Sequence, residues 1–468
     1  MQSLIMQNIL LIEADEYREL VIPGIEKNTP LDIVHPLGLM TLAAILREKD
    51  RNRNIKILDT RLLKKDYSDL PDLIKNFNPF ITGIRIVSRA MPFVRKLIKE
   101  IKSLCPHTHI IAGGPHVTAC KEKILSEEYI EAAVYGEGDI TFPLLVERLE
   151  HNSDYSDLNG IIYRDKDITR INPPRPFVEN LDDIPLPAWD LIDRETYFDF
   201  MHNPHSPIYF NVRREIASIF TSRGCPFSCN FCHNIFGKKV RFQSPEKTFS
   251  EIKTLYEEFG MKQFHIWDDI FNIDKERVHK VCDMVISAGL PVRFTFPNGL
   301  RGDIIDEKLI VKLKEAGTAV ITYAVETASE RLQRNTGKNI DLKKLKEVIR
   351  FTSSLGIIVR VFVMFGFPGE TEEEMKETLR YIMDPAIDTA VFQVLNPFEG
   401  TDIYEEVKKE GIDPLSFQDK YDYISPNFSS SSMVSSEKLK EIYYEGVAGF
   451  FSKERVTRSY DKWINLLR

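Results

Sequence analysis

Two blocks of alternating strand and helix patterns, parted by a proline-rich stretch, leave this chain few folds to choose from. In the first block, β-branched runs at 8–13, 55–59, 80–86, 109–113 and 132–135 predict strands. Between them, "LGLMTLAAILREK", "DLPDLIKNF", "MPFVRKLIKEIKSL" and "KEKILSEEY" have helical periodicity. This alternation calls for a parallel sheet covered on both faces, with ligands at the carboxyl ends of its strands. Two glycine-rich turns, "AGGPH" and "YGEGD", follow the fourth and fifth strands and point to a binding rim there. From about 150 to 215 the alternation stops, and "INPPRPFVENLDDIPLPAWDLID" reads as a stiff extended linker.

The second block predicts strands at 217–222, 263–268, 292–296, 319–326, 358–366 and 390–396, with glycines at 260, 289, 317 and 356 where helix C-caps belong. Six β/α units fall short of an eightfold barrel and predict a partly open one. The fold class is therefore α/β, in four segments: a doubly wound, Rossmann-like domain (1–145), a linker (146–215), a (β/α)6 partial barrel (216–400) and a small α-rich C-terminal region (401–468). Within the last, "PNFSSSSMVSSEK" predicts a mobile loop.

Composition narrows the partners. A formal charge of −8, well interspersed, argues against nucleic acid, which needs a concentrated basic face. The N-terminus has no secretory pattern and no stretch offers a membrane span, so a cytoplasmic protein is expected. Cys105, Cys120 and Cys282 are scattered and read as small buried side chains. The other three of the six cysteines crowd into "SRGCPFSCNFCHNIFG", which follows the first strand of the second block.

Cys225, Cys229, Cys232 and His233 admit three chemistries. Cys229-Asn-Phe-Cys232-His233 fits the haem-attachment pattern, but such proteins are normally exported, and Cys225 would have no role. Structural zinc would need His233 as its fourth ligand, and adjacent residues seldom both face one ion. An iron–sulfur cluster with three thiolates leaves one iron open to a substrate or cofactor, and the x3-then-x2 spacing lets one loop wrap three corners of a cube. The cluster is the best of the three.

C-x-x-x-C-x-x-C after the first strand of a partial barrel resembles the radical S-adenosylmethionine superfamily. That resemblance implies a 4Fe–4S cluster held by Cys225, Cys229 and Cys232, with Phe231 among the contacts to S-adenosylmethionine. Its open iron chelates S-adenosylmethionine, which reduction cleaves to a 5′-deoxyadenosyl radical. "HIWDDIF" resembles the second-strand segment whose Asp268 or Asp269 accepts from the methionyl ammonium. "YAVETAS" resembles the fourth-strand G-x-E-S segment and keeps Glu326, with Ala324 and Thr327 departing from the pattern. "VMFGFPGET" resembles the fifth-strand signature and supplies Gly366 and Pro368, and Arg360 is a candidate for the cofactor carboxylate. A plain alternative is that Glu326 and Arg360 pair inside the barrel.

"HPLGLMTLAAILRE", "IIAGGPHVTA", "EAAVYGEGD" and "LDDIPLPAWDLI" resemble the cobalamin-binding subgroup of that superfamily. The likeness implies a corrin over a floor of Leu37, Gly38 and Leu42. Gly113, Gly114, Gly136 and Gly138 would let its edge pass, and Ser88, His116 and Glu137 would hydrogen-bond its periphery. No D-x-H-x-x-G string occurs, so cobalamin without a histidine ligand is expected, with His35 a rim residue. The resemblance further implies radical methylation of an unactivated carbon of a small-molecule or lipid substrate, driven by an external one-electron reductant of flavodoxin or ferredoxin type. Alternatives are a cyclase or carbon–carbon bond former of the anaerobic magnesium-protoporphyrin monomethyl ester type, and a non-catalytic corrinoid carrier. Phe417, Tyr421, Tyr423 and Phe428 are available to touch an aromatic or lipid-like substrate, though loop and core packing suits them equally.

Overall fold

The computed structural model describes residues 7–16, 19–20, 29–30, 33–202, 211–416 and 424–467; Phe417, Tyr421 and Tyr423 lie outside them. The chain divides near residue 197 into two compact units. The first is built on a seven-stranded sheet: β1 (Ile9–Ala14), β2 (Ile55–Asp59), β3 (Ile81–Ile86), β4 (His109–Gly113), β5 (Ala132–Val134), β6 (Ile161–Asp165) and β7 (Ile168–Ile171). Their order is β2-β1-β3-β4-β5-β6-β7, the first five parallel and the last two antiparallel. Every residue of β1 is buried, as a parallel strand covered on both faces requires. The helices α1 (Leu37–Lys49), α2 (Leu70–Phe77), α3 (Met91–Leu104), α4 (Pro115–Cys120) and α5 (Gly138–Glu150) connect the strands. Strand order reverses between β1 and β3, so the loops after β3, β4 and β5 share one carboxyl edge with the start of α1.

Residues 146–215 are not simply a linker. Residues 161–171 form a hairpin that adds β6 and β7 to the sheet, turning at Lys166 with a positive φ of 54°. All of β7 is exposed, so it lacks the apolar alternation that marks a strand in sequence.

The second unit holds a six-stranded parallel sheet, β8 (Ile216–Ile219), β9 (Gln263–Ile266), β10 (Arg293–Leu300), β11 (Thr318–Glu326), β12 (Ile358–Phe365) and β13 (Thr389–Val394), in simple sequential order. That order is the partial barrel expected. The helices between these strands are punctuated by local chemistry. In α6 (Pro245–Phe259), the Ser244 side chain accepts from the Lys247 N–H, Pro245 opens the first turn, and Gly260 ends it at φ 70°. Then come α7 (Lys275–Ser287), α8 (Glu307–Glu315), α9 (Glu330–Asn335), α10 (Leu342–Ser354) and α11 (Glu372–Ile382), and the tail adds α12 (Asp402–Lys409), α13 (Ser436–Phe450) and α14 (Lys453–Leu467). Among the described residues no helix is long and apolar enough to cross a membrane.

The serine run is a correction. Ser429, Ser430 and Ser431 are buried rather than in an open loop, and the Ser431 hydroxyl donates to the Glu370 carbonyl at 2.8 Å. Short hydroxyl side chains suit this place because they satisfy buried backbone oxygens without needing volume. Phe428 is buried against Phe398, so it packs within the protein.

Candidate functional site

The cysteine loop leaves β8 and is tethered from several sides. The Asp268 carboxylate, 1% exposed just beyond β9, accepts from the Thr221 N–H and hydroxyl at 2.6 Å and from the Ser222 hydroxyl at 2.7 Å. Its oxygens are therefore occupied in anchoring the start of the loop. Asp269 takes only the Gly224 N–H, at 3.2 Å on one oxygen, and burial pushes its carboxyl up to about 6. Further along, the Cys225 N–H donates to the Gly237 carbonyl and the Cys232 N–H to the Cys229 carbonyl, each at 3.1 Å.

The three thiols act on one another electrostatically. Burial lifts the Cys225 thiol and pushes that of Cys232 up to about 12; in both, the neighbouring cysteines add to the rise and Lys338 opposes it. Cys232 is the most exposed of the three. Among the described residues no three such side chains converge on a single metal ion.

Near the cysteine loop, Glu326 ends β11 with a left-handed φ of 61°, where the pairing of β11 with β12 slips by a residue. A positive φ at a glutamate costs about 1–2 kcal/mol, a strain typical of functional positions. Its Oε1 accepts from the Lys338 ammonium at 3.1 Å, while its buried Oε2 has no protein partner. Glu326 thus pairs with Lys338 and not with Arg360. Arg360 is buried lower on β12, where its Nε donates to the Thr322 hydroxyl at 2.9 Å and its charge helps push His265 down to about 3, after burial itself. The Gly366–Pro368 turn is held from below by Glu370, whose Oε2 accepts from the Gly366 N–H at 2.6 Å and the Phe367 N–H at 3.1 Å. Phe231 packs edge-on to Phe367, 5.8 Å between centroids. A cavity of about 360 Å³ behind the loop is lined by Asn230, Leu332, Pro368 and Ile403, among others.

The structure thus gathers Cys225, Cys229, Cys232, Asp269 and Glu326 and places Arg360 deeper. Lys338 is the residue that sequence reasoning missed. Its signal was a short polar turn, "NTGK", ending in a cation after the Glu326 strand.

In the first unit, the rim is partly welded. The His116 Nδ1 lies 3.0 Å from the Ser88 hydroxyl, and the Gly136 N–H donates to the Thr118 hydroxyl at 3.0 Å, tying together the loops after β3, β4 and β5. A Cβ placed on Gly38 or Gly136 would meet nothing within 4 Å, so both border open space at the carboxyl edge, as a wide ring would need. Gly113 faces only the Val134 carbonyl at 3.7 Å. The others have internal duties. Gly114 has a positive φ of 97° and lies 3.0 Å, by the same measure, from the Ile86 carbonyl. Gly138 packs on Leu42, and Glu137 accepts from the Val178 N–H at 2.9 Å. Leu37 is buried at the head of α1. His35 is not on the rim: it is buried, stacked on Tyr197 at 4.7 Å and edge-on to Trp189 at 4.8 Å.

Comparison with known proteins gives these features a context. Residues 219–382 match the model of the radical SAM superfamily and residues 28–146 that of the B12 binding domain. Over 424 residues the chain is 30% identical to an uncharacterised methyltransferase, PH0819, of Pyrococcus horikoshii, covering 90% of this chain and 88% of the relative. The chain belongs to the cobalamin-binding radical S-adenosylmethionine family. It is an enzyme, and the cofactors of the family are a 4Fe–4S cluster, S-adenosylmethionine and cobalamin. This family member is also 28% identical to the cytidylyl-2-hydroxyethylphosphonate methyltransferase of Streptomyces wedmorensis, over 81% of this chain and 79% of the relative. It is 25% identical to an anaerobic magnesium-protoporphyrin IX monomethyl ester cyclase of Rubrivivax gelatinosus, over 79% and 65%. Its fold is that of the radical S-adenosylmethionine methyltransferase TsrM of Kitasatospora setae with cobalamin and a [4Fe-4S] cluster bound, with TM-score 0.67 and 17% identity over 87% of this chain and 76% of that one.

Proposed function

We propose that the enzyme methylates an unactivated carbon of a small-molecule or lipid substrate in the cytoplasm, with electrons from a flavodoxin- or ferredoxin-type donor. The observation that supports methyl transfer is the likeness to two methyltransferases, one uncharacterised and 30% identical over 90% of this chain, the other the cytidylyl-2-hydroxyethylphosphonate methyltransferase, 28% identical over 81%. Cys225, Cys229 and Cys232 would hold the cluster, and Gly38, Gly113 and Gly136 would border the corrin. When bound, the reduced cluster with S-adenosylmethionine supplies a hydrogen-abstracting carbon radical, and cobalamin supplies a methyl group.

The remaining tasks belong to the chain. Asp269 has one oxygen without a protein donor, and Glu326 has a buried one; both are acceptors for the ammonium and hydroxyls of the nucleoside. Asp268 fixes the loop that presents the thiols, and Glu370 fixes the turn at Gly366–Pro368 that would line the nucleoside. The buried wall of β11 and β12 keeps water from the reacting carbon, which protects a radical from side reactions.

A second reading, ring closure without methyl transfer, draws on the likeness to the cyclase. Anaerobic turnover with methyl-labelled S-adenosylmethionine separates the two. Labelled product together with S-adenosylhomocysteine supports methylation, and an unlabelled product formed alongside 5′-deoxyadenosine supports ring closure. Cluster-loaded protein that releases no 5′-deoxyadenosine would instead be a corrinoid carrier.

A further inference from the structure

The turn between α9 and α10 is fitted against the cysteine loop more closely than a connection needs to be. A Cβ on Gly337, which has a positive φ of 68°, would fall 2.7 Å from the Ser228 carbonyl and 3.9 Å from the Cys229 Cα. Only glycine allows that approach. On one side of it, the Asn230 N–H donates to the Thr336 carbonyl at 2.9 Å. On the other, Arg301 donates to the Lys338 carbonyl at 3.0 Å while its guanidinium stacks 3.7 Å over the Phe227 ring of the cysteine loop. Arg301 is itself fixed by Asp303 at 2.9 Å. Backbone and side-chain contacts on both flanks therefore hold residue 338 in register with the thiols.

The side chain placed there is a cation. The Lys338 side chain is 15% exposed, and its ammonium is paired with Glu326 at 3.1 Å and acts electrostatically on Cys225, Cys229 and Cys232. An ammonium has three donors, and one suffices for Glu326. A largely buried lysine so near three sulfur ligands, pinned by a closely fitted turn, is poorly explained as surface decoration.

We propose that Lys338 sets the reduction potential of the cluster: its charge, held beside the thiolates by the Gly337 turn and partly offset by Glu326, stabilises the electron that the cluster accepts from an external one-electron donor. The inference rests on the assignment of Cys225, Cys229 and Cys232 as cluster ligands. The physical basis is general, since charges and N–H donors beyond the ligands tune a metal centre. Lys338 is thus a positioning residue, and its effect belongs in a potential and not only in turnover.

The test is an EPR-monitored redox titration of anaerobically reconstituted protein without S-adenosylmethionine, at matched iron and sulfide content. K338M is expected to reduce the ratio of reduced to oxidised cluster at a fixed potential roughly tenfold, a negative shift of about 59 mV for a one-electron couple. K338R is expected to stay within a few-fold of the parent. E326Q, which removes the offsetting charge, is expected to shift the other way. An unshifted K338M overturns the proposal, and should K338M fail to assemble its cluster, an E326Q potential that does not rise does the same. If the parent protein with full iron and sulfide yields no reducible 4Fe–4S signal, the ligand assignment beneath this inference has failed instead.

Discussion

At residue scale, the adjacent carboxylates 268 and 269 divide two duties that their sequence, D-D, gives no means of separating. Asp268 receives three donors from the root of the cysteine loop, while Asp269 receives one. Leaving buried donors unsatisfied costs about 1–3 kcal/mol each, so D268A should lower stability by about 3 kcal/mol or more and reduce retained iron with it. D269A should keep the fold and weaken S-adenosylmethionine binding by at least about tenfold, since a hydrogen bond to a charged group contributes about 1.5–3 kcal/mol. Urea unfolding, iron analysis and equilibrium binding check the pair, and the assignment fails if the two variants behave alike. Glu370 gives a pH signature. Burial pushes its carboxyl up to about 8, although the Gly366 and Phe367 N–H groups pull it down, whereas the unfolded chain returns it to the ordinary 4.5. Between those values the folded state keeps a proton that the unfolded chain has released, so this group's contribution weakens the fold as pH climbs and levels off above about 8. E370Q stays neutral and keeps an acceptor for the turn. Parent stability should therefore fall relative to E370Q from about pH 5 to pH 8, and parallel urea midpoints would contradict this.

At the scale of elements, α1 tests the corrin rim. Gly38 lies in its first turn, exposed, without positive φ, and with nothing near a would-be Cβ. Leucine there should raise helix stability by up to about 1 kcal/mol. The same side chain would occupy the open space on the rim, so G38L should bind cobalamin at least about tenfold more weakly while melting no lower than the parent. Corrinoid absorbance after reconstitution and gel filtration reads the first effect, calorimetry the second; undiminished binding removes Gly38 from the floor. Elements were also where the sequence was most legible. All eleven expected strands are present, because each is a buried run with no competing period. The β6–β7 hairpin was not legible, since its outer strand faces solvent. In the site, the three cysteines stood out by type and spacing, and Glu326 by the likeness of its strand to the G-x-E-S segment. Lys338 did not, because its place depends on Gly337 approaching a loop more than a hundred residues away.

At the scale of the whole molecule, the C-terminal helices show why a tail of mixed composition resisted reading. Its residues are selected by surfaces made elsewhere in the chain. Trp463 and Leu466 of α14 pack against Val212, Ala319, Val320 and Ile358, at the amino-terminal end of the barrel strands, away from the cysteine loop at their carboxyl ends. The Trp463 indole donates to the Asn211 carbonyl at 3.0 Å, and Lys462 pairs with Asp388 at 2.7 Å. The decisive residue is Arg455. Its guanidinium donates to the carbonyls of Met383, Asp384 and Ile387, which follow α11, and lies 4.3 Å over the Phe450 ring. R455M keeps most of the volume but leaves those carbonyls without their shared donor, a loss of about 3 kcal/mol. Because the barrel floor and the cluster loop are at opposite ends of the strands, the loss should fall on the folded fraction and not on the chemistry. R455M should therefore unfold at lower urea, yet release 5′-deoxyadenosine at the parent rate per folded, iron-loaded molecule. A fall in that normalised rate would mean that α14 reaches the site, and the separation of a stabilising floor from a reactive mouth would have to be given up.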